Sequence, residues 1–216
     1  NTAVLNRLST DGTIVDLQKD GTTVGSIGTD SGYLHIANGG STGLRFTGTD
    51  IRPCTATGAD QDGNRDLGDA NARFKDLYLS GGVYLGGTGA ANKLDDYEEG
   101  TWTPTIVGGT LTITTINKAS YIKVGNIVHI NLYITLANNG NSNDLTFGGL
   151  PFAAATGIYG TGVVTHAAGA NSTETLYARA NEGSPAQMQI YKGKSNGVAQ
   201  TDVDGGWFIT SLSYRV

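Results

Sequence analysis

Four oxygen-bearing side chains stand at alternate positions in one short polar segment: Asp60, Asp62, Asn64 and Asp66. Calcium takes about six to eight oxygen ligands, and this spacing in a loop can supply several of them. The fit to an EF-hand loop is imperfect, because Arg65 stands where that loop has glycine and no glutamate closes it. The alternative is a solvated turn, in which these side chains bond to their own backbone. We therefore expect no cofactor, with these four residues as a weak calcium candidate.

A second set of side chains is suited to sugar recognition. Aromatic rings stack on the apolar faces of sugars, while amide and carboxylate groups bond to the hydroxyl groups. Since loops carry most recognition, we expect receptor contacts at Trp207, Tyr159, Tyr177, Tyr191, Asn141, Asn143, Asp202 and Asp204. Two alternatives stay open. In the first, Trp207 packs in the core or between subunits instead of binding a receptor, as tryptophan is highly buried on average. In the second, residues 138–144 form a mobile hairpin tip without a binding role.

Groups for catalysis are sparse. A glycosidase needs two carboxylates about 5 to 10 Å apart, and one cluster offers them: Asp95, Asp96, Glu98 and Glu99. The cluster falls at the junction of two dissimilar halves, where acidic residues commonly decorate a solvated linker. No metal-ligand spacing links the three histidines, His35, His129 and His166, and no GxSxG nucleophile elbow is present. We therefore expect no enzymatic activity.

Composition and charge narrow the class of protein. Glycine supplies 33 of 216 residues and charged residues only 15%, which disfavours helices and indicates an all-β, loop-rich chain. The net charge of −5 has the wrong sign for a nucleic-acid binder. No apolar stretch approaches the roughly 18 residues of a membrane span, so we expect no membrane insertion. The single cysteine excludes an intrachain disulfide.

The two halves differ in the length of their predicted strands. From 1 to 94, turn signals such as Asp20-Gly21 and Ser31-Gly32 separate short alternating runs. Such strands bury too little apolar surface to close a core alone. We therefore expect other copies of the chain to complete this half, as a β-rich, intertwined trimeric fibre shaft.

Longer alternating strands fill residues 95–216. Between 127 and 136, five apolar side chains alternate with a second set, the polar face, which contains Ile127, His129, Asn131, Tyr133 and Thr135. This half is predicted to be a β-sandwich, a jelly-roll-like C-terminal knob that forms the receptor-binding tip. Because the only methionine is Met188, we expect the chain to be the C-terminal piece of a longer protein.

Five segments resemble the C-terminal region of bacteriophage tail fibres and tailspikes. They are residues 66–81 (DLGDANARFKDLYLSG), 97–104 (YEEGTWTP), 121–128 (YIKVGNIV), 148–152 (GGLPF) and 211–216 (SLSYRV). Together they cover most of residues 66–216 in the family's order, whereas residues 1–65 resemble the family only in their general pattern of short strands and turns. The resemblance implies a trimeric receptor-binding fibre with a distal knob.

What the resemblance implies about function is host attachment without chemistry. The homotrimer would bind a bacterial surface glycan or outer-membrane protein, and other phage tail proteins would lie upstream of it. It would be assembled in the host cytoplasm and lie at the distal fibre of the virion tail. The alternatives are a head fibre or capsid decoration protein, and the non-catalytic C-terminal part of a glycan-depolymerising tailspike.

Overall fold

The structure, a computed structural model, describes residues 2–157, 160–168, 175–180, 186–193, 196–203 and 205–216. It is almost entirely β, with 50% of residues in strands and 3% in helices. Contacts divide the chain into two compact units, Asn1–Tyr78 and Leu79–Val216. The division after residue 94 and the assignment of shaft and knob stay predictions.

The first unit is an antiparallel meander of five sequential strands: β1 (Gly12–Lys19), β2 (Thr22–Asp30), β3 (Tyr33–Asn38), β4 (Gly43–Phe46) and β5 (Ile51–Cys54). Asp20-Gly21 and Ser31-Gly32 make the first two hairpin turns, with positive φ at both residues of each pair. Two-residue hairpins need this backbone because its twist matches that of the flanking strands. The turn predictions at these two positions are confirmed.

The second unit begins with a small ribbon and continues as one large sheet. The ribbon pairs β6 (Val83–Tyr84) with β7 (Lys93–Leu94), and a short 3-10 helix, Ala90–Asn92, precedes β7. The sheet strands are β8 (Tyr97–Thr101), β9 (Thr105–Ile106), β10 (Ile113–Val124), β11 (Ile127–Leu136), β12 (Thr146–Gly148), β13 (Thr161–Ala167), β14 (Leu176–Ala180), β15 (Gln187–Lys192), β16 (Asn196–Gly197) and β17 (Trp207–Arg215). A second 3-10 helix spans Gln200–Asp202.

This sheet curls until its edges approach each other. Its order is β8-β10-β11-β17-β13-β14-β15-β12-β9, with β16 beside β15. The edge strands β8 and β9 are joined by only three residues, 102–104, which span about 15 Å at most. Laid flat, nine strands at about 4.8 Å spacing would separate those edges by about 38 Å. The rings of Phe147 on β12 and Phe208 on β17 lie 5.2 Å apart across the enclosed core.

Alternation along β11 and β17 builds this core. The inner face of β11 carries five buried side chains, as its pattern predicts: Val128, Ile130, Leu132, Ile134 and Leu136. From β17, Phe208, Leu212 and Tyr214 are buried beside them. The opposite side chains of both strands, including the polar face of β11, therefore stand on the outer surface of the sheet. In the described ranges, no helix is long and apolar enough to span a membrane.

Candidate functional site

Trp207 lies on the outer surface of the sheet, at the start of β17. Its side chain is 55% exposed. The ring of Tyr133 meets it edge-on at 6.0 Å between centroids, and the ring of His166 lies 6.3 Å away. Of the two interpretations of Trp207 in the sequence, burial in the core is therefore wrong for this chain.

Three strands bring these rings together. Antiparallel pairing sets Tyr133 of β11 opposite Ile209 of β17, two residues along from Trp207. A β-bulge in β13 between Val164 and His166 then sets His166 opposite the same Ile209. Bulges re-aim side chains in this way because the extra residue shifts the register. The aromatic cluster is thus a product of strand pairing.

A shallow groove of about 460 Å³ runs along the outer surface beside this cluster. The side chains of four strands line it: Lys118, Asn131, Tyr133, Thr165, Ile209 and Ser211. A second hollow of about 290 Å³ shares Ser211 and extends toward His129, Thr161 and Ser213. The Nδ1 atom of His129 lies 2.9 Å from the Oγ atom of Ser213.

The groove keeps hydrogen-bonding groups available for a ligand. Within the described residues, the side chains of Lys118, Asn131 and Ser211 make no hydrogen bond or ion pair. They offer an ammonium group, an amide and a hydroxyl, next to an aromatic wall. Convergent polar groups beside apolar rings are the usual composition of a small-ligand site, and a sugar ring has the matching alternation of hydroxyl groups and C–H faces.

Tyr177 and Tyr191 stand on the same outer surface, farther along the sheet. Tyr177 of β14 pairs with Val163 of β13, which itself pairs with Ser211. The two tyrosine rings stack at 5.6 Å. Tyr191 is only 7% exposed, and its hydroxyl accepts a hydrogen bond from Arg179 at 2.5 Å. Tyr191 therefore has a packing role, and Tyr177 alone of this pair stays partly exposed.

The predicted polar residues form a separate group around the helix Gln200–Asp202. The backbone oxygens of Asn141 and Asn143 accept hydrogen bonds from the amides of Thr201 and Gln200. Asp202 pairs with Lys192 at 2.9 Å. None of these three predicted residues lines the groove. Tyr159 and Asp204 lie outside the described residues.

One carboxylate of the calcium candidate, that of Asp60, already has two cationic partners. Asp60 Oδ1 lies 3.3 Å from Arg45 Nη1, and Asp60 Oδ2 lies 3.2 Å from Arg52 Nη1. Asn64 donates its side-chain amide to the backbone oxygen of Asp62. Where residues are described, no three His, Cys, Asp or Glu side chains are grouped so that they could hold a metal. The calcium site stays a prediction.

Every carboxylate of the acidic junction has its own partner. Asp95 and Asp96 pair with Lys93 and Lys123, while Glu98 and Glu99 accept hydrogen bonds from Tyr121 and Tyr97. The hydrogen bond and charge of Lys93 lower the pKa of Asp95. A glycosidase general acid needs a raised pKa. The contacts of Asp96 with Lys123 and of Glu98 with Tyr121 attach β8 and the residue before it to β10.

The sequence did not single out Lys118, Asn131, Tyr133 and Ser211 as site residues. The polar face of β11 was visible as an alternation, but an alternating polar face is equally typical of plain solvated surface. Only its pairing with β17 shows which side chains share the groove. Comparison of the chain with protein-family models, curated proteins and solved structures found no match.

Proposed function

We propose that this chain belongs to a bacteriophage tail fibre that attaches the virion to the bacterial surface, as a homotrimer and without enzymatic chemistry. The observation that carries the proposal is the groove beside the exposed Trp207, along which polar side chains have no partner among the residues that the structure describes. The resemblance of residues 66–216 to fibre C-terminal regions supports the same function. In this proposal the first half is the intertwined shaft and the second half is the jelly-roll-like knob.

The groove would bind a surface glycan by two kinds of contact. A sugar ring stacks its C–H face on Trp207, while Asn131 and Ser211 bond to its hydroxyl groups. The Lys118 ammonium group favours glycans that carry an acidic group nearby. An open groove on one chain binds weakly, and three linked copies raise the overall affinity by a large factor without any new contact.

A binding assay with a matched aromatic control tests the proposal. The purified, fluorescently labelled chain is applied to arrays of bacterial lipopolysaccharide and capsular glycans, and to outer-membrane vesicles. Trp207→Ala is expected to weaken binding by about tenfold or more, because a central aromatic anchor commonly contributes about 2 kcal/mol. Tyr97→Ala removes another exposed aromatic ring of the second unit, away from the groove, and is expected to bind like the wild type.

Two results would contradict the proposal in different ways. If the chain binds none of the glycans and vesicles, the proposal of host attachment is contradicted. Binding that is unchanged in Trp207→Ala would leave attachment in place but move the contact away from the groove. Shortening of the bound glycan with time would instead indicate a depolymerising tailspike, and labelling of capsids in electron micrographs would indicate a head fibre.

A further inference from the structure

The first unit covers one face of its sheet with its own chain, and that face is polar. Arg45 and His35 are buried there, and Arg45 Nη1 pairs with Asp30 at 2.9 Å. The segment after β5 folds over them. Its Gly58 oxygen accepts a hydrogen bond from Arg45, and its Asp60 also pairs with Arg45. Arg45 thus makes ion pairs and a hydrogen bond inside this covered face.

The opposite face of the same sheet is apolar and is here named the open face. Strand pairing aligns Val15, Ile27, Ile36, Leu44 and Pro53 in one row across all five strands. A second row contains Thr29, Leu34, Phe46 and Ile51. Leu17, Gly25 and Asn38 continue the face on the other side of the first row. No member of these rows carries a charge.

The open face is exposed in the single chain. Five of its large apolar side chains are between 44% and 65% exposed: Leu17, Leu34, Ile36, Leu44 and Ile51. A half-exposed sheet normally turns its polar side to water and its apolar side to the core. Here the arrangement is reversed, because the charged groups lie inside and the aliphatic groups outside. The reversal indicates that the open face is buried in the assembled protein.

The open face is large enough to be a contact surface. Five strands at about 4.8 Å spacing and about five residues at 3.4 Å each give about 400 Å² per face. That equals the largest apolar patch on a typical monomer, which is often functional. Two such faces in contact would remove about 800 Å² from water, so this contact would supply part of the roughly 1,200–2,000 Å² that a specific interface buries.

We propose that the open face is the contact by which copies of this chain assemble, with the three sheets of the homotrimer turned toward one another. The number of copies rests on the proposed function. A second copy is the fitting occupant because, in residues 2–78, only two hydrophobic side chains are buried, Ala37 and Cys54. A unit that lacks an apolar core needs its cover while it folds, and identical chains are always available at that moment. The absence of charge also suits a contact between like surfaces.

Light scattering on the full chain tests this assignment. The wild type is expected near 67 kDa, three times 22.4 kDa. The double variant Ile36→Glu/Leu44→Glu places two like charges at paired positions in the middle of the open face and is expected near 22 kDa. The control is Thr13→Glu, which adds a charge to the opposite, polar face of the same sheet, at the position that pairs with Gly28. This variant is expected to stay near 67 kDa. The rate of alkylation of Cys54, which is buried in the folded unit, reports whether the first unit remains folded in each variant.

A cross-linking experiment decides the case in which the double variant fails to fold. Ile36→Cys treated with a short bismaleimide is expected to give covalent dimers, because each chain offers one accessible thiol and the reagent joins two, whereas Thr13→Cys is expected to give none. Absence of Ile36→Cys cross-links would overturn the inference.

Failure of the inference is distinguishable from failure of the proposed function. A wild type near 67 kDa with a double variant of the same mass would overturn the open-face contact and leave the fibre in place. A monomeric wild type would contradict the open-face contact and the trimer together, while the glycan assay decides host attachment separately.

Discussion

At the scale of single residues, Cys54 is an internal probe of the first unit. Its side chain is fully buried, and burial raises the pKa of its thiol, so the reactive thiolate is scarce near neutral pH. In native buffer at pH 8, Cys54 is expected to react with a thiol reagent at least about 100-fold more slowly than in urea. Ser41→Cys in a Cys54→Ser background supplies an exposed cysteine of the same unit as control. Equal rates for the two cysteines would contradict the burial of Cys54.

Tyr214 predicts how stability depends on alkaline pH. Burial raises the pKa of Tyr214 to about 12, and its hydroxyl donates to the Phe152 oxygen at 3.1 Å. In the unfolded chain this pKa is about 10, so between pH 10 and 12 the unfolded state loses a proton that the folded state keeps. The free energy of unfolding should therefore fall as pH rises through this window, by about 2–3 kcal/mol.

Tyr214→Phe isolates this contribution. The variant has no proton to lose, so its free energy of unfolding, measured by urea denaturation at pH 8 and pH 11, should fall less than that of the wild type. At pH 8 it should be less stable by about 1 kcal/mol, because the hydrogen bond to Phe152 is lost. Parallel pH dependence of the two proteins would show that Tyr214 does not titrate as the structure indicates.

At the scale of elements, Gly162 holds β13 against β17. A Cβ atom added there would lie 1.9 Å from the Ser211 oxygen and 2.7 Å from the Leu212 Cα atom, and both are backbone atoms that cannot rotate away. Gly162→Ala is therefore expected to lower the free energy of unfolding by about 2 kcal/mol or more, since overpacking forces the strands apart. Gly81→Ala, where a Cβ meets nothing within 4 Å, should change it by less than about 0.5 kcal/mol. Similar urea midpoints for both variants would contradict this close approach.

At the scale of the whole molecule, the described residues form an apolar core only in the second unit. All the clustered core side chains, from Trp102 to Tyr214, lie within Leu79–Val216. A fragment of residues 79–216 is therefore expected to unfold in one cooperative thermal transition. A fragment of residues 1–78 that stays monomeric should show no such transition, because its open face is uncovered. Circular dichroism of both fragments against temperature measures this, and a cooperative monomeric 1–78 would contradict it.

Some features of this protein follow from short stretches of sequence. The scarcity of helix formers predicts an all-β chain, and Asp-Gly and Ser-Gly pairs predict hairpin turns at Asp20-Gly21 and Ser31-Gly32. The period of two along β11 predicts which side chains are buried. These predictions succeed because backbone dihedral preference and side-chain alternation depend on a residue and its immediate neighbours.

Other features depend on which distant strands pair. The Tyr133–Trp207–His166 cluster requires β11, β17 and β13 to be adjacent, and the bulge in β13 to set their register. The burial of Arg45 requires Asp30 and the segment after β5 to meet it. Neither arrangement is encoded in a local pattern, because each needs residues that are distant in sequence to meet, and the packing of the whole unit decides which of them do. Sequence alone thus determined the β type of the elements and the buried side of β11, whereas tertiary structure decided the groove, the polar interior of the first unit and its open face.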